Sequence, residues 1–284
     1  MNNLILHINC PDQRGIIAQI TDVIYKYDAN VLDLEQHVEP DQKHFFMRLY
    51  IDTSNVSSSI EALNIDLKKK INEMDAKINF YYPEKLQKIS IFVTKESAPL
   101  YDLLIKHQSG ELKCSISCII SNHQVLEGIA QKFNMPFFYI PLLNKTKVEH
   151  ELAIQNILEK ENIDLIVLAR YMQILSADFV SKYYGKIINI HHGFLPAFKG
   201  RSPYRQAWER GVKMIGATAH YVTKDLDEGP IIAQDAISIT HQYTINEMIK
   251  SGRDIERRVL LSAVKAHLQY RIMMDGKKTI IFHS

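Results

Sequence analysis

The chain has 284 residues, 46% of them hydrophobic, enough to bury a core in each of two domains and too apolar for a disordered chain. Lysine and arginine number 34 against 32 aspartate and glutamate, too even a balance for the basic footprint of a nucleic-acid binder. The amino end carries no basic-then-apolar leader and no run approaches the roughly 18 apolar residues of a membrane span; three cysteines without an export signal suit reduced thiols in the cytosol.

Residues 4–9 form the first predicted strand. Pro11 to Gly15 is a turn, after which Ile16, Ile17, Ile20, Val23 and Ile24 recur at helical spacing. Strands follow at Asn30 to Val38 and His44 to Asp52, separated by a Glu-Pro-Asp-Gln turn. A helix carrying Ile60, Leu63, Ile65 and Leu67, then a strand at Ala76 to Tyr82, complete the order βαββαβ, one ferredoxin-like unit. Pro83 opens a short polar stretch, so residues 1–83 are read as one domain, 84–88 as a linker and 89–284 as a second domain.

In that second domain Ile89 to Val93, Leu112 to Ser121, Phe137 to Ile140, Asp164 to Ala169 and Ile187 to Ile190 are short apolar runs with helix-period stretches between several of them. The alternation predicts an α/β domain with a doubly wound, mostly parallel sheet, whose ligands lie beyond the carboxyl ends of the strands. Cys114 and Cys118, four apart on a strand, share one face and read as small buried hydrophobes rather than metal ligands. A strand at Ala217 to Val222, an amphipathic helix from about Ile245 to Leu268, and an Asp275-Gly276 turn before Thr279 to Phe282 close the chain.

The chemistry gathers at two strand ends. On the strand that ends at His191, a period of two puts Asn189 and His191 on one face and turns His192 away. Downstream, Ala219-His220-Tyr221-Val222 leads into the acidic loop Thr223 to Pro230, which carries Asp227. Hydrolysis of an amide-like bond needs donors for a developing oxyanion, a group that takes the water's proton, and an acid for the departing nitrogen. Asn189 and a protonated His191 would be the donors and Asp227 the base, its charge favouring the imidazolium. Each of these residues alone is as readily a hydrogen-bonded structural group. His191, His192, His220 and Asp227 could imitate a metal set, yet adjacent side chains on a strand diverge, so no metal is expected. His220 shares a face with Thr218 and Val222 and reads as a wall or core histidine.

At these residues the chain resembles the folate-dependent formyltransferase superfamily, whose Asn-x-His, Leu-Pro-x-Phe-x-Gly loop and distant aspartate stand here as Asn189-Ile190-His191, Leu195 to Gly200 and Asp227. Within it the likeness is to the formyltetrahydrofolate deformylases, through Ala169 to Ser176, Asn189 to Phe198, Ile215 to Thr223 and Gly252 to Val259. The resemblance implies hydrolysis of 10-formyltetrahydrofolate, supplying formate for purine biosynthesis and balancing one-carbon pools, with no permanently bound cofactor. It implies a pterin pocket lined by Met172, Gln173, Ile174, Leu175, Val222, Lys224 and Asp225. Gly193 stands where relatives usually carry serine, and Ala98-Pro99 replaces a His-Cys pair.

The first domain resembles an ACT domain, a regulatory module that often binds amino acids. Asp12, Arg14, Gly15 and Ile16 occupy the strand-to-helix turn where such domains hold an effector, with Asn30 after the helix; a helix amino end attracts a carboxylate, although a tight turn explains the same residues. ACT sheets commonly pair between chains, so a homo-oligomer is expected. Two other functions share the motif. One is formyl transfer to an amine, as in glycinamide ribonucleotide formyltransferase, but the turn Thr94 to Pro99 has no glycine and carries Glu96, a poor phosphate cradle. The other is a non-catalytic amino-acid or folate sensor.

Overall fold

The computed structural model describes residues 2–197 and 203–283. It divides into two compact units, residues 1–85 with 269–275 and 280–284, and residues 86–268 with 276–279.

The first unit begins with β1 (Asn3–Pro11), α1 (Ile16–Lys26), β2 (Asn30–Glu39), β3 (His44–Asp52), α2 (Ile60–Glu73) and β4 (Lys77–Tyr81). The strands form an antiparallel sheet in the order β2-β3-β1-β4. Alternation along β1 and β3 turns Leu4, Leu6, Ile8, Met47, Leu49 and Ile51 into a core with Ile20, Ile24, Leu63 and Leu67 of the two helices. The residues between them, His7 and Arg48, are directly paired across the ladder and face the other way.

On that second face lies the end of the chain, residues 269–275 and 280–284, which belong to this unit and not to the second domain expected from the sequence. Phe46 packs with Met273 and Phe282. The Tyr270 carbonyl accepts from His7 Nε2 at 2.7 Å and from Arg48 Nε at 3.0 Å, and the Tyr270 ring stacks on Tyr81 at 4.4 Å. An apolar tail segment thus pairs with a strand face that alternation leaves half polar, a contact between residues more than 200 positions apart that no local pattern reveals. The division between units in the first half, after Lys85, falls inside the stretch expected to link the domains.

The second unit runs β5 (Lys88–Val93), α3 (Ala98–Gln108), β6 (Ser115–Ser121), α4 (Glu127–Lys132), β7 (Phe137–Tyr139), α5 (Lys147–Glu161), β8 (Leu165–Leu168), α6 (Ala177–Lys182), β9 (Ile187–His191), α7 (Pro203–Glu209), β10 (Met214–Tyr221), β11 (Ile231–Ser238) and α8 (Ile245–Leu268). A short pair, β12 (Ile272–Asp275) with β13 (Lys278–Ile281), ends the chain. The sheet order is β11-β10-β9-β8-β5-β6-β7. Strands β5 to β9 run parallel to one another, while β10 is antiparallel to both of its neighbours, β9 and β11.

The connections reverse direction between β5 and β8, which opens a crevice at the loops after those two strands. Strand β11 has no counterpart among the strands expected from the sequence. It carries Gln234 and Asp235 and mixes half-buried with exposed residues, as an edge strand does, so its apolar signal is weak. Strand β6 starts three residues later than the apolar run, because Leu112 N bonds back to Lys106 O and closes the end of α3.

His7 is 4% exposed. Burial pushes its pKa down to about 4, against a raising contribution from its bond to Tyr270 O, and the Arg48 charge lowers it further. The folded value lies below the ordinary one, so between the two the unfolded chain binds more protons. His7's contribution to stability is therefore complete above about pH 6.5 and is lost as pH falls toward 4, by up to roughly 3 kcal/mol. Urea unfolding of the wild type and of His7→Gln at pH 7 and pH 5 checks this: the variant should lose less stability on acidification.

Candidate active site

Asn189 and His191 project from the end of β9, and β10 runs antiparallel beside them with His220 directly opposite Asn189. The register of β10 against β11 slips at Ala219/His220, a bulge of the kind that re-aims a side chain next to a site. Asn189 Nδ2 lies 3.3 Å from His220 Nε2. His220 Nδ1 donates to the Tyr221 carbonyl at 2.9 Å, which turns Nε2 toward Asn189.

Asp227 comes from the loop after β10 and adopts a left-handed backbone conformation, φ 55°. Its carboxylate meets both rings, with Oδ2 3.2 Å from His191 Nδ1 and Oδ1 3.7 Å from His220 Nε2. All three side chains are less than a tenth exposed. Burial alone would raise the Asp227 pKa, but hydrogen bonds and charge from His191 and His220 outweigh it and hold the carboxyl well below the usual range. The amide, imidazole and carboxylate expected from the sequence are thus brought together, and His220 joins them. The sequence offers His220 only as a wall or core histidine, because its meeting with Asp227 depends on lying across the ladder from Asn189.

This cluster forms one wall of a cavity of about 1330 Å3. Met172, Gln173, Ile174 and Leu175 line it from the loop after β8, and Val222, Lys224 and Asp225 from the loop after β10. Met172 and Ile174 are more than half exposed, so apolar surface faces the cavity. Both ends of the first loop are tied down, Met172 N to Thr94 Oγ1 at 3.0 Å and Ser176 N to Glu151 Oε1 at 2.7 Å. Trp208, Tyr204, Arg170 and Glu256 also line the cavity.

Thr218 Oγ1 fixes the turn after His192 by donating to Gly193 O and accepting from Leu195 N, each at 3.0 Å. Gly193 lies against the catalytic candidate, since a Cβ there would be 2.9 Å from His191 Nε2. Phe198, Lys199 and Gly200 of the Leu-Pro-x-Phe-x-Gly loop lie outside the described residues. Glu96, at the turn after β5, pairs with Arg253 at 3.1 Å. Among the described residues no group of three or more His, Cys, Asp or Glu side chains is placed to hold a metal ion.

The formyl transferase family profile matches residues 87–264. The chain belongs to that family. As a formyl transferase family member it also matches the ACT domain over residues 2–81. The formyltetrahydrofolate deformylase of Synechocystis sp. is 42% identical over 277 residues, 98% of this chain and 97% of that protein. The crystal structure of a formyltetrahydrofolate deformylase from Pseudomonas syringae superposes with a TM-score of 0.96 at 35% identity, covering 100% of this chain and 95% of that one. Glycinamide ribonucleotide transformylase 1 from Symbiobacterium toebii gives 0.68 at 25% identity over 72% of this chain and 97% of that one.

In the ACT-matching unit, Asp12, Arg14 and Gly15 are exposed in the turn between β1 and α1, and Ile16 is buried at the helix start. Gly15 caps the helix with φ 84°. Asn30 does not join them. It opens β2 opposite Asp52, the end of the sheet at which β1 begins, whereas the turn follows Pro11, paired with His44 at the other end. A strand's length, roughly 25 Å, separates Asn30 from the turn within one chain.

Tyr221 anchors the family's aspartate loop: its N donates to Pro230 O at 2.9 Å, and its carbonyl accepts from the His220 ring. Gly229 passes so close that a Cβ would lie 1.7 Å from the Tyr221 oxygen. Gly229→Ala must therefore push the loop away, and a destabilisation of about 1–3 kcal/mol is expected, measurable as a lower urea midpoint.

Proposed function

We propose that this chain hydrolyses 10-formyltetrahydrofolate to formate and tetrahydrofolate, supplying formate for purine biosynthesis and balancing one-carbon pools. The observation that carries the reading is the buried Asp227 carboxylate between His191 and His220, on the wall of a cavity whose neighbouring loop offers Met172 and Ile174 to a flat ligand. Met172 to Leu175 and the Val222 to Asp225 segment are the residues assigned to the pterin.

In this mechanism water attacks the formyl carbon, and Asp227, ionised at neutral pH, orients the water and takes up its proton. The oxyanion that forms receives hydrogen bonds from Asn189 Nδ2 and from His191 Nε2, with Nδ1 of that ring tied to Asp227. Collapse breaks the carbon–nitrogen bond, the nitrogen takes a proton from the Asp227–His191 pair, and formic acid leaves as formate. Groups fixed before the reaction need no reorganisation during it, which is why oxyanion donors are worth so much here. No covalent intermediate is required.

Water rather than an amine is the acceptor in this reading because the turn after β5 presents Glu96, bound to Arg253, where a phosphorylated amine would need backbone amides. An amino acid is proposed as the ligand of the ACT-matching unit at Asp12, Arg14, Gly15 and Ile16. Copies of the chain are proposed to associate through the end strand β2, where Leu32 is half exposed, and the compartment is taken to be the cytosol, where the three buried free cysteines stay reduced.

Purified protein given 10-formyltetrahydrofolate should release formate with no amine added. Asp227→Asn should lower that rate at least about a hundredfold, and Asn189→Ala by a similar factor, while quenching of the single tryptophan, Trp208, still reports folate binding. A rate that depends on added amine would favour the transferase, and tight binding without turnover would favour the sensor. Light scattering should give a mass above that of one chain.

A further inference from the structure

Two neighbouring residues of α5 reach across to the loop that lines the cavity after β8. Glu151 is 8% exposed, and both oxygens of its carboxylate go to a single residue: Oε1 accepts from Ser176 N at 2.7 Å and Oε2 accepts from the Ser176 hydroxyl. His150, also buried, brings its Nε2 to 3.4 Å from the hydroxyl of Tyr171. Tyr171 and Ser176 are the residues immediately outside Met172 to Leu175. One helix therefore meets the loop at both flanks.

The clamp is itself fixed. Helix α5 starts in a capping box, in which Thr146 Oγ1 accepts from Glu149 N and the Glu149 carboxylate accepts from Thr146 N. Tyr171 packs edge-on against Phe92 of β5 at 5.2 Å. The next residue is held from the sheet, since Met172 N donates to Thr94 Oγ1 and the Thr94 hydroxyl donates to Asn122 Oδ1 at 3.2 Å. At the far end Ser176 Oγ accepts from Phe179 N at 3.1 Å and caps α6.

Between these anchors the chain displays apolar side chains to water. Met172 is 55% exposed and Ile174 64%, and both line the cavity. Such side chains gain by collapsing onto nearby apolar surface, so a loose loop would fold them away from a ligand. A buried carboxylate is unfavourable unless its hydrogen bonds are made, and this one makes charge-assisted bonds, the strong kind, to the loop's last anchor. Among the described residues the hydrogen bonds of Glu151 go to Ser176 and not to Asn189, His191 or Asp227.

We propose that Glu151 is a positioning residue for ligand binding: by holding Ser176 it keeps Met172 and Ile174 presented to the cavity before a ligand arrives, and so sets the affinity for the pterin without entering the chemistry. The proposal rests on the reading that this loop receives the pterin. Ordering a loop during binding opposes binding, and a loop already ordered avoids that loss. The effect of Glu151 therefore falls on KM and leaves kcat alone.

The experiment compares Glu151→Ala, Glu151→Gln and Ser176→Ala, each checked for folding by its melting curve. Formate release from 10-formyltetrahydrofolate gives kcat and KM, and quenching of Trp208 fluorescence gives the Kd for tetrahydrofolate. For Glu151→Ala, KM and Kd should each rise roughly tenfold, with kcat within about twofold of wild type. Glu151→Gln keeps an oxygen for Ser176 N and should recover part of that loss. Ser176→Ala keeps the backbone bond to Glu151, so its KM should lie between those of wild type and Glu151→Ala. Unchanged KM and Kd in folded Glu151→Ala, or a fall in kcat as large as the expected rise in KM, overturns the proposal. If Glu151→Ala does not fold, the other two variants decide, and an unmoved KM in both overturns it. Wild-type protein that binds tetrahydrofolate without releasing formate ends the hydrolase reading alone, and the Kd values of the same variants still decide the role of Glu151; wild-type protein that does not bind tetrahydrofolate overturns both.

Discussion

A carboxylate removed from water between two imidazoles governs the site. Taking the Asp227 charge into a region less than a tenth exposed costs several kcal/mol unless hydrogen bonds replace the lost water. His191 and His220 supply that replacement, and the result is a carboxyl that stays ionised well below its ordinary range. The same pairing fixes the rings, because each imidazole nitrogen that faces Asp227 is committed and its orientation follows. The buried charge thus helps decide which way both rings point, together with the Tyr221 carbonyl at His220.

Holding that charge in place is mostly a matter of backbone. Tyr221 binds Pro230 through its nitrogen and His220 through its oxygen, while Gly229 permits the loop to close against it. Thr218, fully buried, does the equivalent work for the turn after His192, where its hydroxyl both donates and accepts and also receives Gln234 Nε2 at 3.0 Å. These groups never need to touch a substrate. Their effect is to remove conformational freedom before a substrate arrives, which is the condition under which fixed dipoles stabilise a transition state.

Two features explain how a fold shared with glycinamide ribonucleotide transformylase can support hydrolysis. The turn after β5, at the crevice where the sheet reverses its winding, ends in the Glu96–Arg253 pair instead of free amides. Behind it, Glu256 is already engaged by Tyr204 and Arg170. Polar groups that the protein satisfies by itself are not offered to a second substrate, whereas a water molecule needs only the space beside Asp227.

Local pattern in the sequence is enough to place most of the elements and to put Asn189 and His191 on one face of a strand end. Alternation in β1 and β3, helical spacing in α1 and the strand-end position of Asn189 and His191 are consequences of backbone geometry over a few residues, so they can be read without knowing the fold. Tertiary structure alone decided what depends on pairing between distant segments. His220 entered the site because β10 lies antiparallel to β9 in one register; the tail settled on the first unit's sheet because Phe46 and Met273 meet there; Asn30 fell a strand's length from the turn it was grouped with. Glu256 and Arg170 are partners only because α8 and the loop after β8 face the same cavity. The physical reason is that a sequence encodes the periodicity of each element directly, while contacts between elements are fixed by the packing of all of them together.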